Sequence, residues 1–205
     1  SESTTAPIGL SVGTGVRAAG TIRIHTAGSI IATDSPLDVA IDGNGFFAVT
    51  LPDGRTAYTR AGAFARSTTG ELVTGDGYAV QPGLTIPEGV QSLTIAQDGT
   101  VSYVEAGASE PTEAGQLELT DFINPAGLQP IGNNLFVETA GSGAPIVGAP
   151  SLDGRGRLLQ GQLESSNVNL VQELVDLIET QRAYEINSKV ISAVDGMLRY
   201  ATQTL

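Results

Sequence analysis

The chain contains no cysteine and no tryptophan, one histidine, one methionine and a single lysine, Lys189. Without cysteine, neither disulfides nor thiolate metal ligands are available, and the fold holds through burial alone. With one histidine as the other nitrogen or sulfur donor, a zinc site would rest almost wholly on carboxylates, a poor match to that ion. No metal and no cofactor is expected. Aromatics make up 5% of the residues, which removes the platform on which sugar rings stack. No apolar run is long enough to span a bilayer, so no membrane insertion is expected. No charged-then-apolar stretch follows Ser1, so nothing in the sequence directs the chain through the general secretory route. The net charge of -12 argues against nucleic acid, whose phosphates call for a basic surface.

Basic residues are also missing locally. Between Ser67 and Gly154 there is no Lys or Arg, while the span carries Glu71, Asp76, Glu88, Asp98, Glu105, Glu110, Glu113, Glu118, Asp121, Glu138 and Asp153. Such a span is either a solvated, self-repelling surface or a face presented to a basic partner.

What is present in quantity is glycine, 26 residues, with 10 prolines and 40% hydrophobic content. That texture is β-rich, with many turns and small side chains. Asp42-Gly43, Asp53-Gly54, Asp76-Gly77, Asp98-Gly99 and Asp153-Gly154 punctuate the chain. Asp53-Gly54 separates Phe46 to Leu51 from Thr56 to Thr59 and supplies the positive φ of a tight hairpin. Thr68-Thr69-Gly70 separates Ala63 to Arg66 from Glu71 to Thr74, and Asp98-Gly99 separates Ser92 to Ile95 from Thr100 to Val104. Leu117 to Ile123 and Asn134 to Thr139 are two further expected strands. Ala140 to Pro145, followed by Gly148-Ala149-Pro150, has the composition of a loop or linker.

Past that loop the pattern changes. No proline follows Pro150, and Gly161 is the last glycine before Gly196. Asn169 is placed to cap a helix, with Gln172 three residues on to complete a capping box. Leu170, Leu174, Leu177, Gln181, Tyr184, Ile191, Leu198 and Leu205 keep three-and-four spacing. Val171, Val175, Ile178, Ile186, Val190, Ala193, Val194 and Met197 form a second stripe beside it. A helix apolar on two sides must be enclosed. From Leu170 to Leu205 it would run roughly 50 Å, longer than the preceding domain could readily cover, so other chains are the natural cover. The alternative is one helix folded back along the β domain. Gly196 is expected to mark a bend or a close helix approach, and Glu179 with Arg182 and Glu185 with Lys189 sit at spacings that suit ion pairs.

Catalytic parts are scarce. His25 lies in the strand-like run Thr21 to Thr26 and reads as a structural or solvent-facing histidine. Gly43-Asn44-Gly45-Phe46-Phe47-Ala48 has the letters of a dinucleotide fingerprint, but a strand-like run follows where a helix is required, so the glycines read as a tight turn or bulge. Scattered carboxylates leave a glycosidase-like acid and base pair formally open. No catalytic residue is assigned.

Three segments, Glu164-Ser165-Ser166-Asn167-Val168, Ile178 to Asn187 (Ile-Glu-Thr-Gln-Arg-Ala-Tyr-Glu-Ile-Asn) and Asp195-Gly196-Met197-Leu198, closely resemble the C-terminal signature of the bacterial flagellar rod and hook family. Asp38 to Val49 resembles that family's first β segment, and Val12-Gly13-Thr14-Gly15-Val16 with Leu135 to Pro145 are most similar to its distal-rod branch. The resemblance implies a mainly β fold, an antiparallel β domain with a long C-terminal α-helix for assembly. It divides the chain into an extended segment with short strands (1–34), an outward-facing antiparallel β domain (35–160) and a helical assembly segment (161–205). It implies a structural subunit, not an enzyme, of the flagellar basal body. The subunit would polymerise helically into the rigid shaft that crosses the periplasm and carries torque from motor to hook. Its partners would be copies of itself, proximal rod and hook subunits, and the surrounding ring proteins, with export through the flagellar secretion channel without a cleaved leader. Family members carry an N-terminal helix that pairs with the C-terminal one, whereas Ser1 resembles a later, extended segment. The expected inter-subunit contacts are Leu174, Leu177, Ile178, Gln181, Arg182, Tyr184, Glu185, Asn187 and Leu198. Glu105, Glu110, Glu113 and Glu118 would lie on an acidic outer face. A hook or proximal rod subunit is the alternative within the family. A secreted peptidoglycan-acting or carbohydrate-binding protein is the alternative outside it.

Overall fold

A computed structural model describes residues 25–108 and 110–203, the side chains of Leu198 and residues 201–203 aside. The Val12 to Val16 segment, most of the Thr21 to Thr26 run, and the stripe positions Leu198 and Leu205 therefore lie outside the description. The fold is mainly antiparallel β followed by one long helix, as the composition and turn spacing indicate.

Four hairpin loops share one closure. The N–H of Leu51, Ser67, Thr74 and Ala96 donates to the carbonyl of Arg55, Glu71, Tyr78 and Thr100, while the N–H of Gly54, Gly70, Gly77 and Gly99 donates back to Leu51, Ser67, Thr74 and Ala96. Only the glycine of each loop takes positive φ, from 81° at Gly54 to 90° at Gly99. These are three-residue loops ending in a left-handed glycine, not two-residue turns with both residues at positive φ. Asp53 and Asp98 reinforce two of them by accepting from the N–H two residues on, at 3.0 Å each. Those hydrogen bonds, from Arg55 and Thr100, are the main reason both carboxyls titrate below the usual carboxylate range.

The loops join β3 (Phe47–Thr50) to β4 (Thr56–Thr59), β5 (Phe64–Arg66) to β6 (Leu72–Thr74), β6 to β7 (Ala79–Val80), and β8 (Val90–Ile95) to β9 (Thr100–Glu105); β2 (Val39–Asp42) precedes them. With β12 (Gln129–Gly132) and β13 (Leu135–Val137), β3 to β7 build a seven-stranded sheet in the order β12-β13-β4-β3-β7-β6-β5. A three-stranded sheet, β10-β9-β8, includes β10 (Thr112–Gln116), and β2 pairs with β15 (Arg157–Gln160). Between these sheets lies one apolar core, in which Ile41, Phe47, Val49, Leu72, Val101, Leu117, Leu119 and Leu158 have at most 2% exposure. Gln160 ties two layers: its carbonyl accepts from Ile95 N–H at 3.1 Å and its amide donates to Leu93 O at 3.0 Å. A smaller aromatic cluster, Phe46, Tyr58, Phe122 and Phe136, sits on the opposite face of the large sheet. Burial there, then the charge of Glu138, raises the Tyr58 phenol above its usual range.

Some expected strands differ in extent. Within Leu117 to Ile123 only β11 (Leu119–Asp121) is strand, and Asn134 to Thr139 shortens to β13. Between the loop stretches read at Ala140 to Pro145 and Gly148 to Pro150, and taking in Gly148, lies β14 (Ile146–Gly148), which pairs with β11.

The helix α1 (Leu170–Gln203) begins as expected: Asn169 Oδ1 accepts from Val171 and Gln172 N–H at 3.1 and 3.4 Å. The second half of the capping box does not form, because Gln172 Nε2 turns forward and donates to Asp176 Oδ1 at 2.9 Å. Neither Glu179 with Arg182 nor Glu185 with Lys189 closes an ion pair among the described residues; all four side chains stand in solvent, where such a contact is worth only tenths of a kcal/mol. The helix runs unbroken through Gly196, and a Cβ there would meet nothing within 4 Å.

Candidate functional site

Every helix residue from Leu170 to Met197 is exposed, so α1 does not fold back along the β domain. Leu174, Leu177 and Ile178 are 51%, 52% and 48% exposed and Tyr184 76%, with Val171, Val175, Ile186, Val190, Ile191, Val194 and Met197 also open. The described positions of the two stripes form one broad apolar surface that the other described residues leave uncovered. Gln181, Arg182, Glu185 and Asn187 are exposed on the same helix. A contiguous apolar surface on this scale marks an interaction site, since single exposed leucines are ordinary but a helix-long row is not. The side chain of Leu198 lies outside the described residues.

The acidic residues lie elsewhere. Glu105 ends β9, Glu113 lies on β10, and Glu110 and Glu118 flank β10, all exposed. Among the described residues β10 is an edge strand of its sheet, so Glu113 and the flanking Glu110 and Glu118 line an open margin. No arginine or lysine falls in this stretch to neutralise them.

His25 is neither in a strand nor at a solvent-facing position. It is half-buried, and its ring meets Phe136 edge-on at 5.4 Å and Phe46 at 6.1 Å, capping the aromatic cluster. The Gly43-Asn44-Gly45 stretch is the tight turn read from the sequence, with Gly43 and Gly45 at φ 125° and 130°. The Gly43 and Gly45 carbonyls face Arg60, a residue that nothing in the linear pattern singles out. Arg60 pairs with Glu164 at 2.8 Å beside a shallow cleft also lined by His25, Asn134, Phe136 and Asn167, at the place where the β domain gives way to the helix.

Residues 40–103 match the family described as flagellar hook protein FlgE/F/G D1 domain, and residues 159–204 match flagellar basal body rod FlgEFG protein C-terminal. The flagellar basal-body rod protein FlgG of Buchnera aphidicola subsp. Acyrthosiphon pisum is 51% identical over 200 residues, 98% of this chain and 77% of the relative. FlgG of Caulobacter vibrioides is 49% identical over 203 residues, 99% of this chain and 78% of the relative. The basal-body rod protein FlgF of Escherichia coli is 36% identical over 188 residues, 88% of this chain and 72% of the relative.

Proposed function

This chain belongs to the bacterial flagellar rod and hook protein family and is a structural subunit of the distal rod; on that premise we propose that α1 is its polymerising element. Members of the family assemble into a flagellar axial structure with related rod and hook subunits. Copies of this chain join through Leu174, Leu177, Ile178, Gln181, Arg182, Tyr184, Glu185, Asn187 and Leu198, and torque passes through that side-chain packing without turnover of any substrate. The helices form the inner wall of the shaft and the β domain, residues 35–160, faces outward toward the surrounding rings. The shaft crosses the periplasm and joins proximal rod to hook, and its subunits leave the cell through the flagellum's own secretion channel.

The observation that carries this reading is the apolar surface of α1 that the described residues leave open beside a well-buried β core. Replacing Leu177 and Ile178 together by Asp tests it. Loss of rods with an intact β domain supports the reading, and normal rods from that variant contradict it.

The acidic edge fits the outward face, where like charge on a turning shaft repels its housing or meets a basic patch on it. With Glu105, Glu110 and Glu113 replaced by Gln, the melting temperature should stay within a degree or two, since exposed charges contribute little to stability. Swimming speed or ring retention should change at low ionic strength and recover its parent value in salt. Unchanged motility and rings at low ionic strength would reduce the charge to a solubilising role.

A further inference from the structure

We infer that Arg60 is the positioning residue that fixes the direction in which α1 leaves the β domain. The purpose assigned to it rests on the rod-subunit reading; its test does not.

The helix is joined to the β domain by two antiparallel segments. β1 (Ile30–Ala32) pairs with β16 (Gln162–Glu164), Ser165 N–H donates to Ser29 O at 2.8 Å, and Asn167 Nδ2 donates to Thr26 O and Oγ1 at 3.0 Å each. Gly28 lies so close to the Ser165 carbonyl that no Cβ fits there. Arg60 clamps this ribbon to the domain. Its Nε donates to Glu164 Oε2 at 2.8 Å, Nη1 to the carbonyls of Gly43 and Gly45 at 3.1 and 3.0 Å, and Nη2 to that of Ile41 at 3.3 Å. The other oxygen of Glu164 accepts from Gly28 N–H at 2.9 Å, so one carboxylate joins the guanidinium to both segments of the ribbon. Gly43 and Gly45 both sit at φ values that L side chains rarely adopt, which is what lets two carbonyls of one short turn face the same cation. The side chains of Arg60 and Glu164 are 19% and 13% exposed. Only a planar fork satisfies four acceptors at once; an ammonium is a point charge and cannot.

Magnitude decides why this matters. Among the described residues every position of α1 from Leu170 to Met197 is exposed, and 34 residues make a lever roughly 50 Å long. A swing of roughly 10° at its base moves the far end by about 9 Å, as much as the 8–10 Å that separates packed helices. A neck free to swing that far would present the apolar surface to its neighbours out of register.

Because the chain has no cysteine, Thr69→Cys and Thr180→Cys place two nitroxide labels specifically, one on an exposed loop of the β domain and one on the helix. Dipolar distance measurements should give one narrow distribution in the otherwise parent chain and at least a twofold broader one with Arg60→Ala. Arg60→Lys, which keeps the charge and is expected to fold, should broaden it too and speed hydrogen exchange at the Gly28 and Ser165 amides more than tenfold. Leu72→Ala, a core change in β6, serves as the control, expected to lower the melting temperature without broadening. Equal widths in the parent and both Arg60 variants, a broad parent, or equal broadening by Leu72→Ala would each overturn the inference. Rod assembly is scored separately, so a chain with a narrow distribution that builds no rods would count against the assembly reading and leave the neck as described.

Discussion

Cells producing the Leu177→Asp/Ile178→Asp variant should build no distal rod, while the variant's β domain melts within about 0.5 kcal/mol of the parent. Both side chains are about half exposed in the chain on its own, so the substitution removes nothing from its core. Asp is a slightly poorer helix former than either residue, by a few tenths of a kcal/mol each, and that cost is spread over a helix of 34 residues. In an assembly the same positions would be enclosed. Burying a carboxylate without a partner costs several kcal/mol, against the 1.5–3 kcal/mol that full burial of each lost aliphatic side chain would contribute. Every subunit repeats the penalty at each helix contact, so the polymer fails cooperatively and does not weaken in proportion. Thermal melts read the first part of this expectation, and electron microscopy of purified basal bodies reads the second.

Phe47→Ala should act in the opposite place. It is expected to destabilise the β domain by about 3–5 kcal/mol, lowering the melting temperature by roughly 6–20 °C, with the denaturant slope unchanged. Phe47 is fully buried in β3, and its ring meets Phe64 edge-on at 5.0 Å, so truncation both leaves a void and removes an aromatic pair. A domain of this size has about 5–15 kcal/mol in hand, which makes the loss roughly a fifth or more of the total. The neighbouring Phe46 points to the other face of the sheet, into the aromatic cluster under His25. A shift below 1 kcal/mol for Phe47→Ala would mean that the two faces are assigned wrongly.

Those two faces explain why the β domain could be read from its residues and where the reading stopped. A glycine closing each three-residue loop leaves a local mark, so the hairpins around Gly54, Gly70 and Gly99 were visible without tertiary information. β10 left none. Thr112-Glu113-Ala114-Gly115-Gln116 has little strand preference, and it is held by its pairing to Tyr103, Ser102, Val101 and Thr100, with an irregularity between Glu113 and Gly115. β14 was hidden for the related reason that Ile146-Val147-Gly148, set between Pro145 and Pro150, is too short to carry a usable period.

The helix was legible in type, start and apolar breadth, because each depends on residues within one or two turns of one another. Its finer contacts were not. Gln172 had two partners within reach and took Asp176, and the pairs at Glu179 and Glu185 gain too little in solvent to hold one geometry. The neck was invisible altogether. Arg60 and Glu164 lie 104 residues apart, and the Gly43 and Gly45 carbonyls become acceptors only once the turn faces the end of β4. Nothing in a linear pattern distinguishes that arginine from Arg55 or Arg66, whose side chains serve their own surroundings.

A three-dimensional image of assembled rods, resolved well enough to trace α1, tests the account most directly. It should show α1 helices of neighbouring copies packed side by side in the inner wall, with Leu174, Leu177 and Ile178 at their contacts and β10 on the outer surface. Rods held together through the β domains, with α1 open to solvent along its length, would contradict it.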